Sequence, residues 1–383
     1  MYAFATLGRG IVLAAVASLV GGGAASAATF VYVSNAEDGD IGTYRLQDSG
    51  ELVAGPRVKA GGTVMPMVVS PDRRFLYAAS RAKPYTVHVY SIDRATGALT
   101  PLSTAPLAES FPYISLDKTG RFLFGASFGG NVISVNAVGS DGQVATPPLQ
   151  VIAVGRNAHS VRVDESNRFA YVPTLGSDQI FMFTFDAKTG QLSSNTPAIY
   201  MMNQVTGPRH FITSSDNRFL YALTEMTGTV MTFAIDSKTG LLSEVSEVSG
   251  LPQGTNLTPG VPRVPLGPNA RPRNTSNDVW AADIHMTPNG KFMYVSERTN
   301  STLTALSVDG ATGKLAFASS TPTERQPRGF AVDPAGRFLV ATGEKSETIS
   351  VYAIDAASGA LKFLNKTPTG KGSNWVEIVS FDQ

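Results

Sequence analysis

The chain has 383 residues, 43% of them hydrophobic and 16% charged, a formal net charge of +1 and no cysteine. Near-neutral charge removes any bulk electrostatic drive toward nucleic acid, and the lack of cysteine excludes disulfides, thiolate metal sites and a cysteine nucleophile. One compact core rarely grows to this length, so the sequence holds either several domains or an internally repeated array.

The first element is a leader. Met1 to Gly10 carries one positive charge, Arg9, and no acid; Ile11 to Val20 is apolar; small residues follow, including Ala25-Ser26-Ala27. This is the charged, apolar and small-residue order of a secretory signal. The apolar run is shorter than the ~20 residues of a spanning helix. Residues 1–27 are therefore expected to be removed, leaving a periplasmic or secreted protein at 28–383 with no membrane span.

A repeat then runs down the chain. An apolar strand is followed by a polar turn, an Arg or Lys, a Phe and an aromatic-rich strand. Copies are Asp72-Arg73-Arg74-Phe75-Leu76-Tyr77, Thr119-Gly120-Arg121-Phe122-Leu123-Phe124, Ser166-Asn167-Arg168-Phe169-Ala170-Tyr171 and Asp216-Asn217-Arg218-Phe219-Leu220-Tyr221. Asn289-Gly290-Lys291-Phe292-Met293-Tyr294 and Ala335-Gly336-Arg337-Phe338-Leu339-Val340 continue it. Each copy reads as a β-hairpin around an Asp, Asn or Gly turn. A third alternating strand follows, as at Thr86 to Ile92 or Thr229 to Ile235, then often a turn such as Asp236-Ser237-Lys238-Thr239-Gly240, and a weaker fourth strand. Four strands per repeat are the mark of a propeller blade.

The ends give the blade number. Phe30 to Ser34 reads as a second strand without a first, and Trp375 to Phe381 as a first strand without a second. Joined, they complete a seventh blade and remove two open sheet edges. The expected fold is all-β: a monomeric seven-bladed β-propeller of four-stranded antiparallel blades, closed by the two termini. Residues 250–281, rich in Pro, Gly and Asn, interrupt the rhythm and read as a long loop over one face near the site.

The repeat also supplies a register. Ten positions before the hairpin Phe stand Met65, Pro112, His159, Arg209, Ala282 and Arg328; six positions after it stand Arg81, Phe128, Leu175, Glu225, Arg298 and Glu344. The first set begins the innermost strands and the second ends their antiparallel partners, so both meet at one face, around the channel mouth. His159, Arg209, Glu225, Arg298, Arg328 and Glu344 converge there from different blades, at the rim rather than in blade core. His210 and Asp283 lie one step further along, and His285 is on the same strand as Asp283. Convergent charges at a concave mouth are the candidate site. Arg209 and Arg298 would repel a divalent cation, so neither metal nor other cofactor is expected.

At these residues the chain resembles the seven-bladed lactonase family of bacterial 6-phosphogluconolactonases and fungal carboxy-muconate cyclases. The matching phrases are Ala158-His159-Ser160, Gly207-Pro208-Arg209-His210, Leu223-Thr224-Glu225, Trp280-Ala281-Ala282-Asp283-Ile284-His285, Ser296-Glu297-Arg298-Thr299 and Gln326-Pro327-Arg328-Gly329-Phe330. The resemblance implies chemistry on a lactone ring, with His159, Arg209, Glu225 and Arg298 as catalytic residues. His210, Asp283, His285, Arg328 and Glu344 would then bind substrate, a small anionic or polyhydroxylated lactone. Its implied reaction is hydrolysis of a sugar-acid lactone; a lactonising cyclase and a non-catalytic binding propeller are the alternatives. The leader departs from the cytosolic phosphogluconolactonase pattern and suggests an unphosphorylated aldonolactone formed outside the cytoplasm. N-terminal sequencing of the protein from its native host is expected to begin at Ala28; an intact Met1 on soluble protein would refute the leader.

Overall fold

The computed structural model describes residues 1–3, 5, 28–203, 205–263 and 273–381. The expected leader at 1–27 lies almost wholly outside them. The described residues form seven four-stranded antiparallel sheets. The first blade contains both ends of the fold: β1 (Ala28–Asn35) is flanked by the last strand, β28 (Ser373–Phe381), and by β2 (Asp40–Leu46), with β3 (Leu52–Lys59) outermost. Phe30 faces Val379 and Tyr32 faces Glu377 across the closure. The two orphan strands of the sequence thus pair with each other.

Burial explains the patterning within a blade. The second strand is covered on both faces by neighbouring blades, so Phe75–Ser80 is buried throughout. The fourth strand is the rim, and β3 is mostly exposed beyond Leu52. The hairpin turn is held locally. The Asp164 carboxylate accepts the backbone N–H groups of Arg168 and Phe169, both at 3.0 Å. Asp117 and Asp333 act in the same way, and the hydroxyls of Ser70, Ser214 and Thr287 accept the corresponding Phe N–H.

The Arg-Phe phrase locks one blade to the next. The Arg168 guanidinium lies 5.1 Å from the Phe169 ring centroid and donates to the Ser237 carbonyl at 2.7 Å, in a turn of the neighbouring blade. The Phe169 ring sits on Gly240 of that turn, and the Tyr171 hydroxyl donates to the Gly240 carbonyl at 2.9 Å. The Phe-on-Gly contact recurs around the ring as Phe30–Gly97, Phe75–Gly142, Phe122–Gly190, Phe219–Gly313, Phe292–Gly359 and finally Phe338–Gly50, which returns to the first blade.

Closure brings seven inner strands around one channel: β28, β4 (Val64–Val69), β8 (Tyr113–Leu116), β12 (Arg162–Val163), β16 (Pro208–Thr213), β20 (Ala281–Met286) and β24 (Phe330–Val332). Four of them carry register shifts near the mouth: between Val64 and Met67, Pro208 and His210, and Ala281 and Ile284, and in β28 at Asn374, where Ser34 pairs with Trp375 but Asn35 with Ser373. Such bulges re-aim side chains.

The lock yields a prediction. Gly240 has φ of +72°, and a Cβ there would lie 2.3 Å from the Phe169 ring. Gly240→Ala should cost about 1–3 kcal/mol through overpacking, added to left-handed strain. A lowered unfolding midpoint in denaturant is the expected reading; an unchanged midpoint would contradict the lock.

Candidate functional site

The channel is divided into two cavities by an aromatic layer. Tyr113, Trp375, His210 and His159 cross it, with ring centroids 4.9 Å apart for Tyr113–His210, 5.1 Å for His159–His210 and 5.5 Å for Tyr113–Trp375. On one side lies the mouth, a cavity of 130 Å³ lined by Arg81, Pro112, Phe128, His159, Glu225, Arg263, Trp280, Arg298 and Arg328. On the other, toward the hairpin turns, lies a lower channel of 340 Å³ that includes Tyr113, Arg162, His210, Asp283, His285, Trp375 and Glu377.

Glu225 organises the mouth. One of its oxygens, Oε2, accepts from Arg209 Nε at 2.8 Å and from Arg298 Nη2 at 2.9 Å. Its other oxygen makes no hydrogen bond to a described residue, while the side chain lines the mouth. Arg298 also donates to the Trp280 and Ala281 carbonyls, both at 3.1 Å. Arg209 is wholly buried. It donates to the Ala282 carbonyl and lies 3.1 Å from His210 Nε2.

That contact sets a tautomer. A guanidinium cannot accept a hydrogen bond, so His210 Nε2 is the acceptor and its Nδ1–H donates to Asp283 Oδ1, 2.9 Å away. Asp283 Oδ2 in turn faces His285 Nε2 at 3.1 Å. Burial, then the nearby Arg209, drives the His210 imidazole down to about 3. His159 is also held well below its ordinary value, first by burial and then by Arg209. Both rings are therefore neutral at physiological pH. Burial and the neighbouring Arg298 and Arg328 lower Arg209 to about 9, and burial lowers Arg298 to about 10. Both guanidiniums stay charged near neutrality.

Among the described residues, several buried polar atoms here have no hydrogen-bond partner: His159 Nδ1, Arg209 Nη2 and Arg328 Nε. An unsatisfied buried donor or acceptor typically costs about 1–3 kcal/mol, so such a cluster marks a place prepared for a ligand or water.

The long loop contributes to the same mouth. Arg263 and Arg298 both stack on one indole, each guanidinium 3.7 Å from the Trp280 ring centroid. Both arginines and Trp280 also line an adjoining cavity of 260 Å³ with Arg325, Gln326 and Lys345.

Several expectations need correction. His159, Arg209, Glu225 and Arg298 are not rim residues; each is at most 4% exposed. Buried residues of this kind contribute to stability as well as chemistry. His210, Asp283 and His285 do not line the mouth but the opposite cavity. Glu344 lies outside the mouth lining and faces Arg328 at 3.7 Å. Arg81 does line the mouth. The repeat register already pointed to it, since it occupies the same place as Glu225 and Arg298. Arg263 and Trp280 had no such signal, because they precede β20 in a stretch outside the repeat.

Comparison with known proteins agrees with this architecture. The profile described as "Lactonase, 7-bladed beta-propeller" matches residues 28–378. The chain belongs to that lactonase family. Membership places it among the carboxylic-ester hydrolases that act on lactones. It is 38% identical to the 6-phosphogluconolactonase of Serratia proteamaculans over 79% of this chain and 84% of the relative. Identity is 34% to that of Cronobacter sakazakii, over 92% and 98%. Among solved structures, the periplasmic gluconolactonase of Pseudomonas aeruginosa superposes with a TM-score of 0.80 at 26% identity, covering 92% of this chain and 99% of that one.

Breaking a buried pair strands a charge and costs about 3–5 kcal/mol. Arg209→Ala is therefore expected to lower stability by that order, whereas Arg328→Ala, with a side chain 12% exposed, should lower it much less. Equal unfolding midpoints for the two variants would show that Arg209 and Glu225 are not paired in the folded protein.

Proposed function

We propose that this protein hydrolyses a sugar-acid lactone at the mouth cavity, acting outside the cytoplasm on an unphosphorylated aldonolactone. One observation carries the reading: a single carboxylate, Glu225, is held through one oxygen by two arginines while its other oxygen bonds no described residue, in a lining shared with a neutral His159 and the cationic Arg81, Arg298 and Arg328. The extracytoplasmic setting is supported by the leader-like sequence at 1–27 and by likeness to a periplasmic gluconolactonase.

Opening a lactone requires water to attack the ring carbonyl while charge grows on the carbonyl oxygen. Proton removal from the water and donation to the oxyanion are the two tasks. In this reading Arg298 and Arg328 receive the carbonyl oxygen, because a guanidinium stays charged and offers several fixed donors. His159, neutral and with Nδ1 unpartnered among the described residues, accepts the proton from water as its oxygen bonds to the carbonyl carbon, and the imidazolium returns it to the ring oxygen as the ring C–O bond breaks, leaving the open hydroxy acid. Glu225, in the same lining as His159, holds Arg298 in place through Oε2 and supplies the negative charge of the mouth. Arg209 touches no substrate; it positions Glu225 and His210.

The cationic wall favours a second reading as well. Arg263, Arg325 and Lys345 border the adjoining cavity, which suits an anionic tail such as a sugar phosphate. One assay separates the two: hydrolysis of aldono-1,5-lactones with and without a 6-phosphate. Turnover of the unphosphorylated lactones is expected, with Glu225→Gln and His159→Ala reduced by ~10²–10⁴ in kcat. Turnover of the phosphorylated lactones alone would support the second reading. No turnover on either series, or variants as fast as wild type, would remove the lactonase assignment at this mouth.

A further inference from the structure

The lower channel is the larger of the two cavities and no step at the mouth uses it. Its lining is not what the fold demands. The inner-strand residue that faces the aromatic-rich second strand at a fixed level of each blade is Val68, Ser115, Ile212 or Ala331 in four blades. In the other three it is Arg162, His285 or Glu377. Small and apolar residues therefore satisfy the blade at this level. The three ionisable ones carry a desolvation cost that packing does not require.

Their remaining hydrogen-bonding capacity faces a shared space. Arg162 donates to the Phe211 carbonyl at 3.4 Å and interacts with the Tyr113 hydroxyl, which leaves donors of its five-donor fork for the cavity it lines. His285 is engaged through Nε2 by Asp283, and its side chain is 36% exposed. Glu377 accepts the Trp375 indole N–H at 2.9 Å through one oxygen. Burial pushes its carboxyl up to about 7, so that near neutrality it can donate or accept. Trp375 and Tyr113 add aromatic surface.

We propose that the lower channel is a second binding site, for a small polyhydroxylated carboxylic acid, with Arg162 taking the carboxylate and Glu377, His285 and Tyr113 the hydroxyls. One fixed cation selects a single anionic group. The surrounding mixture of donors and acceptors beside aromatic surface suits a chain of hydroxyls. The ligand class is that of an opened sugar lactone, and in this respect alone the proposal rests on the lactonase reading.

The protein contains two tryptophans, and each cavity holds one: Trp280 at the mouth and Trp375 in the lower channel. Trp280→Phe therefore leaves Trp375, in the proposed site, as the single tryptophan, excited selectively over the tyrosines at long wavelength. Titrating that full-length variant with D-gluconate is expected to give a saturable change in Trp375 emission, with D-glucose weaker. Adding Arg162→Gln should weaken the apparent affinity roughly tenfold or more, the scale of a lost charged hydrogen bond. Should Arg162→Gln fail to fold, His285→Ala is read in the same way. No saturable change with gluconate, or an identical titration in the added variants, overturns the second site. Hydrolysis is assayed separately on the wild-type protein. Gluconate binding without lactone turnover would remove the lactonase reading and leave the second site standing; turnover without the fluorescence response would do the reverse.

Discussion

Every other feature of this molecule depends on a contact between one blade and the turn of the next. A hairpin Phe rests on a left-handed glycine, and its neighbouring Arg stacks beside it, as in Phe169, Gly240 and Arg168. The contact fixes the angle between successive blades, and the Phe338–Gly50 contact closes the circle. Because a glycine is the only residue that leaves room for the ring, the interface has little freedom to slide. The inner strands are thereby held close enough for side chains of different blades to touch across the axis.

That closeness has an electrostatic consequence. Charged residues from separate blades are pressed together away from water, where an isolated charge is costly and a paired one is rigid. Glu225 stabilises two guanidiniums at once, and Arg209 passes the constraint through His210 to Asp283 and His285. One continuous chain of hydrogen bonds thus runs from the mouth to the lower channel. The same chain keeps His210 neutral and fixes its tautomer, so the layer between the cavities is a built wall rather than a chance contact of rings.

The fold was legible in the sequence because the blade contact is written in local residues. Arg-Phe followed by Tyr, and the distant Asp-x-x-x-Gly turn, recur at a near-constant spacing. The orphan strands at the two ends were visible for the same reason. The mouth was legible in part: counting from the hairpin Phe reached His159, Glu225, Arg298, Arg328 and also Arg81. Depth was not legible. A ladder count cannot see the register shift between Pro208 and His210 or between Ala281 and Ile284. Beside those shifts His210 and Asp283 line the far cavity, while their chain neighbours Arg209 and Ala282 line neither. Burial of Arg209 was hidden too, since it arises only when Glu225 and Ala282 arrive from other strands and blades. Arg263 and Trp280 lie outside the repeat, where no register exists.

The central claim is that the Glu225-centred mouth receives the lactone carbonyl. Its most direct test is a crystal structure with an unreactive ring analogue, an aldonolactam, in which an amide replaces the ester. The account predicts the lactam in the mouth, its carbonyl oxygen within hydrogen-bonding distance of Arg298 or Arg328 and its ring carbon reachable by a water on His159. A lactam seated only in the lower channel, or in the mouth with its carbonyl turned away from every arginine, would contradict it.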